Sequence, residues 1–167
     1  AAQGRDIRLS KGRIEGYYRF ANKIWNAARF AMMNLEDFDA AATEVGDADL
    51  SSADRWILGR LAQATREVRA GLDAYRYHDA AASLYQFLWH EFCDWYVEMA
   101  KRPLYGESGS PERVAAQQTL VKVLDAVFRL LHPFMPFLSE ELWHKLPWPA
   151  WLGEQPESLV IAPFPTA

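Results

Sequence analysis

The sequence predicts an all-α protein, a bundle of four to five helices followed by an extended C-terminal tail. Apolar residues recur at steps of three and four through long segments, the spacing of one helix face. Helix-start signals stand before two of those segments, Ser51-Ser52-Ala53-Asp54 and Ser110-Pro111. No segment alternates apolar and polar residues as a half-buried strand does. With 167 residues, 50% of them hydrophobic and 24% charged, the chain has globular composition and can bury a sizeable core. We read one domain, 1–167, with the helical bundle at 13–146 and the tail at 147–167.

The first helix spans 13–35, with Ile14, Tyr17, Ala21, Ile24, Ala28, Met32 and Leu35 in one stripe. Its other side carries Arg19, Asn22, Lys23, Asn26 and Arg29, donors with almost no acid among them. Residues 36–50 are acidic, small and aperiodic, and read as an exposed connection. The second helix follows its Ser cap with Ile57, Leu61, Ala64, Val68 and Leu72 in register, ending near Tyr75. His78-Asp79 is placed to cap the third helix, whose expected inner face is Ala81, Leu84, Leu88, Phe92, Trp95 and Met99. Tyr85, Trp89 and Tyr96 widen that face, which makes the third helix the expected centre of the core. Pro103, Gly106 and Gly109 break the pattern, and the fourth helix aligns Val114, Gln117, Val121, Leu124, Phe128 and Leu131. A fifth helix covers about 136–145, with Phe137, Leu138, Leu142 and Trp143 apolar. The proline-rich remainder reads as extended, with 158–165 lying against the bundle.

Formal net charge is -4, yet the charges are unevenly placed. Residues 1–30 hold seven bases (Arg5, Arg8, Lys11, Arg13, Arg19, Lys23, Arg29) against two acids, while 36–54 hold seven acids and no base. Such asymmetry marks a local electrostatic footprint. No stretch approaches the eighteen apolar residues of a membrane span, and the N-terminus lacks a signal-peptide core. The single Cys93 fits a reducing compartment, so a cytoplasmic location is expected.

Catalytic and metal constellations are scarce. His90, Cys93 and Asp94 have the i, i+3, i+4 spacing of a helical metal site, but Asp94 stands where a helical zinc motif has its second His. A core helix with a buried thiol and a polar edge is the preferred reading of those residues. Glu140, Glu141 and His144 suit an ordinary i,i+4 surface contact. No catalytic residue and no metal ligand is assigned. Lys23, Asn26, Arg29 and Phe30, by contrast, fall within two turns of one helix. They offer a cation, an amide that donates and accepts, a planar donor fork and a stacking face, the means by which unpaired RNA bases are read. An internal reading stays open, in which Arg29 pairs with Glu91 or Asp94 and Phe30 is core.

FANKIWNAARF (20–30), DRWILGRL (54–61), EFCDWYVEMAK (91–101) and LDAVFRLLHPFMPFLSEELW (124–143) resemble successive signatures of the valyl-tRNA synthetases. More broadly they resemble the anticodon-binding bundle of the class I synthetases for branched aliphatic amino acids. The last segment is shared with the leucyl and isoleucyl enzymes, whereas WNAARF and EFCDWY look valyl. The resemblance implies a piece of a valine–tRNA ligase that recognises the anticodon loop of the tRNA for valine. It also implies that catalysis, with ATP and Mg as cofactors, belongs to a domain absent here, because neither a HIGH nor a KMSKS motif occurs and GRDI, which follows that domain in the family, stands at 4–7. The fragment itself would use no cofactor and be inactive alone, with the parent's catalytic domain as a further partner. The family reads mainly the middle and last anticodon bases, flipped out against the bundle. Carried over, the RNA-binding candidates are Lys23, Arg29 and Phe30, then Asn26 and Arg13, with Phe92 as an apolar wall and Trp25 as core. An isoleucyl or leucyl module, or a helical protein-interaction domain, is the alternative expectation.

Overall fold

Ser10 is extended, and its hydroxyl accepts from the Arg13 backbone N–H at 3.4 Å, which opens α1 (Lys11–Met33). The computed structural model describes residues 10–166; Arg5, Arg8 and the GRDI segment at 4–7 lie outside the described residues. α2 (Ser52–Asp73) starts on the expected capping box, with Ser51 accepting from the Asp54 N–H at 3.1 Å and Asp54 from the Ser51 N–H at 3.0 Å. α3 (Tyr77–Gln86), a π-helical stretch (Phe87–Tyr96) and α4 (Val97–Leu104) run on as one rod. α5 (Pro111–Leu131) begins at the Ser110-Pro111 signal, and α6 (Pro136–Trp143) follows. Among the described residues there is no strand, so the architecture is the expected all-α bundle.

The third rod departs from the sequence reading in a way that has a physical cause. One row of its buried residues, Ala80, Leu84, Leu88, Phe92, Tyr96, Ala100 and Leu104, is spaced by four throughout, with Phe87 and Val97 buried beside it. In an ideal α-helix a step of four drifts by about 40°, so such a row would wind off one face. The wider π turns absorb that drift and keep the row facing inward. Trp95 and Met99, expected inside on α-helical spacing, are instead on the surface, Trp95 64% exposed. The rod also starts without the expected cap: Arg76 occupies that position, and Asp79 pairs with it at 3.2 Å from within the first turn. Pro103 sits inside the last turn of α4, so the break begins at Tyr105 and not at Pro103.

α2 turns into α3 through a tight corner. Tyr75 adopts a left-handed φ of 57°, the Arg76 N–H reaches Gly71 O at 2.7 Å and the Tyr75 N–H reaches Leu72 O at 3.0 Å. This is a Schellman ending. Gly71 permits it, because a Cβ there would stand 2.9 Å from that of Ala80.

α5, not the third rod, is the centre of the core: 14 of its 21 residues are buried. The fully buried residues of α1, Ile24, Ala27, Ala28 and Ala31, all lie in its C-terminal half, and the three alanines let it approach the π segment closely. Ile14 and Tyr17, expected in its buried stripe, are exposed, Tyr17 at 69%. In α6, Leu142 and Trp143 are buried while Phe137 is 90% exposed, contrary to expectation. The tail lies along the bundle: Leu159 is buried, and Arg129 and Arg69 donate to the carbonyls of Pro163 and Pro165 at 3.1 and 3.0 Å. Residues 36–50 form the expected, largely exposed connection, and in addition they are docked on α5. The Gln118 amide exchanges hydrogen bonds with Val45 N–H and Thr43 O at 2.8 and 2.9 Å, and Lys122 pairs with Glu44 at 2.7 Å.

Candidate nucleic-acid interface

The outward side of α1 is defined by what its inward side buries. With Ile24, Ala27, Ala28 and Ala31 turned to the core, the helical period sends Asn22, Trp25, Asn26, Arg29 and Met33 the other way, and all five are exposed. The two carboxylates considered for Arg29 hold other cations, and its guanidinium makes no ion pair among the described residues. Glu91 holds Arg60 of α2 at 2.5 Å, and Asp94 holds Lys23. The internal pairing of Arg29 with Glu91 or Asp94 is therefore not formed among the described residues. Trp25, read from sequence as core, is 41% exposed one turn before Arg29. Its signal was present in the spacing: it stands off the apolar stripe, at i−4 to Arg29.

Lys23 and Phe30 occupy the edge between the outward stripe and the core, along the seam with the third rod. Lys23 Nζ lies 3.9 Å from the Trp89 ring centroid and 2.5 Å from Asp94 Oδ1. Trp89 in turn stacks on Tyr85 at 5.5 Å and Phe20 at 6.2 Å. The Lys23 ammonium beside Asp94 holds that carboxyl below its ordinary range, so Asp94 is ionised at neutral pH. Phe30 is half-buried and meets Tyr105 edge-on, with ring centroids 6.5 Å apart. Two turns of helix, about 10 Å, separate Lys23 from Phe30.

A polar clamp fixes the end of α1 just beyond Phe30. Asn34 donates to Phe30 O at 2.8 Å, and Gln117 Nε2 donates to Asn34 O at 2.9 Å and Asp37 Oδ1 at 2.7 Å. Arg113 and Ser108 complete the set on Asp37, at 2.8 and 2.6 Å. The Arg113 guanidinium leads the contacts that hold the Asp37 carboxyl well below the usual carboxylate range. α1 is therefore anchored to α5 on the turn that follows the candidate site.

Of the six residues expected to meet RNA, the structure brings Lys23, Asn26, Arg29 and Phe30 onto one continuous surface. Arg13 is exposed but ten residues earlier, about 15 Å along the helix, and lines a different feature. Phe92 corrects the expectation of an apolar wall: it is 1% exposed, stacked on Tyr96 inside the core, and out of reach of a base. The feature that Arg13 lines is an apolar cleft of about 600 Å³, formed with Tyr17, Phe20, Leu84, Tyr85 and Phe134.

The chemistry expected to be absent can also be placed. Among the described residues no three His, Cys, Asp or Glu side chains gather as a metal site. Burial pushes the Cys93 thiol up to about 11, and His90 faces Asp94 at 3.3 Å. Glu140, between His144 at 3.0 Å and the Leu159 N–H, ties α6 to the tail. No helix among the described residues is long and apolar enough to cross a membrane.

A family profile described as the anticodon-binding domain of tRNA ligase matches residues 54–167. The chain is 52% identical over 167 residues to a valine–tRNA ligase of Geobacter sulfurreducens and 50% identical over 167 residues to that of Syntrophotalea carbinolica. It is 50% identical over 165 residues to the valine–tRNA ligase of Thermotoga maritima. Each match covers 99% of this chain and 18% of the relative, so the chain spans less than a fifth of the length of these relatives.

Proposed function

The chain belongs to the family of anticodon-binding domains of tRNA ligases, and we propose that it is the anticodon-recognition module of a valine–tRNA ligase, reading the anticodon loop of the tRNA for valine. The observation that supports this reading is the outward stripe of α1, where an Arg29 fork with no ion pair among the described residues, the Asn26 amide and the Trp25 ring stand together on a clamped helix. An unpaired base needs both a stacking face and a donor–acceptor edge, and these residues supply both within two turns. Phe30 and Lys23 extend that surface toward the third rod. Arg29 is placed for a bidentate contact to a base edge or phosphate.

Binding and orientation are the chain's part in this reading. The joining of valine to its tRNA, driven by ATP with Mg, belongs to the catalytic domain of a longer cytoplasmic enzyme. The apolar cleft beside Tyr17 and Phe20 offers a surface on which that domain can rest. Residues 1–167 act as one module, the bundle at 13–146 holding the site and the tail at 147–167 bracing α5 and α6.

The test is titration of the full chain with two RNA hairpins, one carrying the valine anticodon and one with the middle base exchanged, at low and moderate salt. Tighter binding of the valine hairpin by about tenfold is expected, since one wrong base removes a specific contact. Both affinities should fall with salt, and the net charge of -4 keeps them modest throughout. Equal binding to both hairpins, or none at low salt, contradicts the proposal.

A further inference from the structure

Away from α1, the face shared by α2 and the third rod carries two indoles that the fold leaves in solvent. Trp95 is 64% exposed, Met99 one turn beyond it 40%, and Trp56 of α2 37%. With Ser52 and Ala53 they line a shallow hollow of about 380 Å³. Neither indole makes a hydrogen bond, ring contact or cation–π contact among the described residues. Core packing does not account for them, and apolar rings kept in water gain free energy when a partner covers them. The hollow opens into a longer groove. Ser52, Ala53 and Met99 also line a cleft of about 740 Å³ between the starts of α2 and α5 and the end of α4, with Ala100 and Pro103 in its wall. Its rim is acidic: Asp49, Glu107 and Glu112 line it, against Arg102 as the one cation among the described residues there. Those three carboxylates are exposed and make no side-chain hydrogen bond or ion pair among the described residues. Asp54 lines the cleft too, but its oxygens are taken by Ser51 and Tyr96.

An acidic rim repels a polyanion, and a wholly apolar occupant would desolvate the carboxylates without pairing them. A cation on an apolar stem satisfies both parts of the groove. We propose that this face docks a basic, apolar peptide segment of a partner protein. Its arginine or lysine heads lie over the Trp56 and Trp95 rings and reach Asp49, Glu107 and Glu112, while its apolar side chains rest on Met99, Ala100 and Pro103. Trp is the ring that holds a cation best, and an Arg head can lie flat on an indole while its fork pairs with a carboxylate. Buried Trp and Arg are also where interface energy concentrates. The face is distinct from the outward stripe of α1. Asp94 turns to Lys23 of α1, whereas Trp95, the next residue, shares its hollow with α2. A peptide and an RNA loop can therefore be held together, on opposite sides of the third rod.

The experiment titrates the full chain at low salt with a short peptide alternating arginine and leucine, and follows the indole N–H signals of Trp56 and Trp95 by NMR. Both signals should move. The peptide should bind about tenfold more tightly than versions with glutamate for arginine or serine for leucine. Trp95→Ala should weaken it by about tenfold, the loss of one aromatic anchor. Glu107→Gln combined with Glu112→Gln should weaken it by about threefold and flatten its salt dependence. All these side chains are exposed, and circular dichroism checks that the variants fold; should Trp95→Ala not fold, the paired glutamine variant decides. Binding indifferent to the peptide's charge, to its leucines or to these substitutions overturns the proposal, as does no binding at low salt. Indole shifts that grow with protein concentration alone assign the face to a second copy, and shifts produced by the valine hairpin assign it to RNA. Either result overturns the proposal.

Discussion

α1 and α5 are nearly equal in length, 23 and 21 residues, and both read from sequence as amphipathic helices with one buried stripe. In the fold they behave oppositely. α5 is surrounded, by α2, α4, α6 and the docked connection at 36–50, and buries polar side chains such as Gln117, Gln118 and Asp125 along with its apolar ones. Each of those polar groups has a named partner: Gln117 on Asn34 O, Gln118 on Thr43 O, and Asp125 on Arg129 and the Trp143 indole at 2.7 Å. α1 buries four residues and leaves a row of donors, an indole and a guanidinium in solvent. An apolar stripe is necessary for burial but does not by itself supply a partner; the neighbours decide. A helix held by half its length and clamped at one end keeps a polar face rigid without covering it, which is what a reading surface requires.

Substitutions can break this contrast in order of size. Phe128→Ala on α5 removes a fully buried ring and should destabilise the domain by about 3–5 kcal/mol in urea unfolding. A loss under about 1 kcal/mol would mean that α5 is not the centre of the core. Arg29→Ala on α1 should do the reverse. It is expected to weaken hairpin binding by about 1–3 kcal/mol while unfolding free energy stays within about 0.5 kcal/mol of the parent. A matched loss of stability would make Arg29 structural.

Asp37→Asn probes the clamp between the two helices and should lower stability by about 1 kcal/mol at neutral pH, a figure kept small because the pair is partly exposed. The Asp37 carboxyl is held below its ordinary value, so its contribution is complete above the unfolded-state value of about 3.9 and is lost as pH falls below it. The gap between Asp37→Asn and the parent should therefore be flat from pH 7 to 5 and close in more acid solution. A gap that instead widens toward acid would contradict the assignment. Tyr17→Ser, on the exposed half of α1, should shift stability by less than about 0.5 kcal/mol, as thermal melting can show.

How far each feature could be read from the residues follows from the same contrast. The all-α class, the Ser51–Asp54 capping box and the Ser110-Pro111 start depend on local chemistry and stand in the structure as the sequence predicts. A period of 3.6 puts Trp95 and Met99 inside, but the π-helical backbone at and before them turns both outward, and a π segment has no recognisable residue signature. Tyr17 and Ile14 were misplaced because periodicity cannot say where a neighbouring helix stops. In the candidate site, the cluster of Lys23, Asn26, Arg29 and Phe30 was visible as spacing. The exposure of Trp25, the burial of Phe92 and the capture of Lys23 by Asp94, 71 residues away, are long-range facts that no local pattern encodes.

The central claim is that the outward stripe of α1 is the RNA-facing surface. Backbone amide chemical-shift mapping of the full chain, titrated with a hairpin carrying the valine anticodon, tests it directly. The largest shifts should fall on residues 22–33 and on the facing residues 89–94, while α5 and the exposed patch that Trp56 of α2 forms with Trp95 and Met99 of the third rod stay unmoved. Shifts centred on that patch, with 22–33 silent, would contradict it.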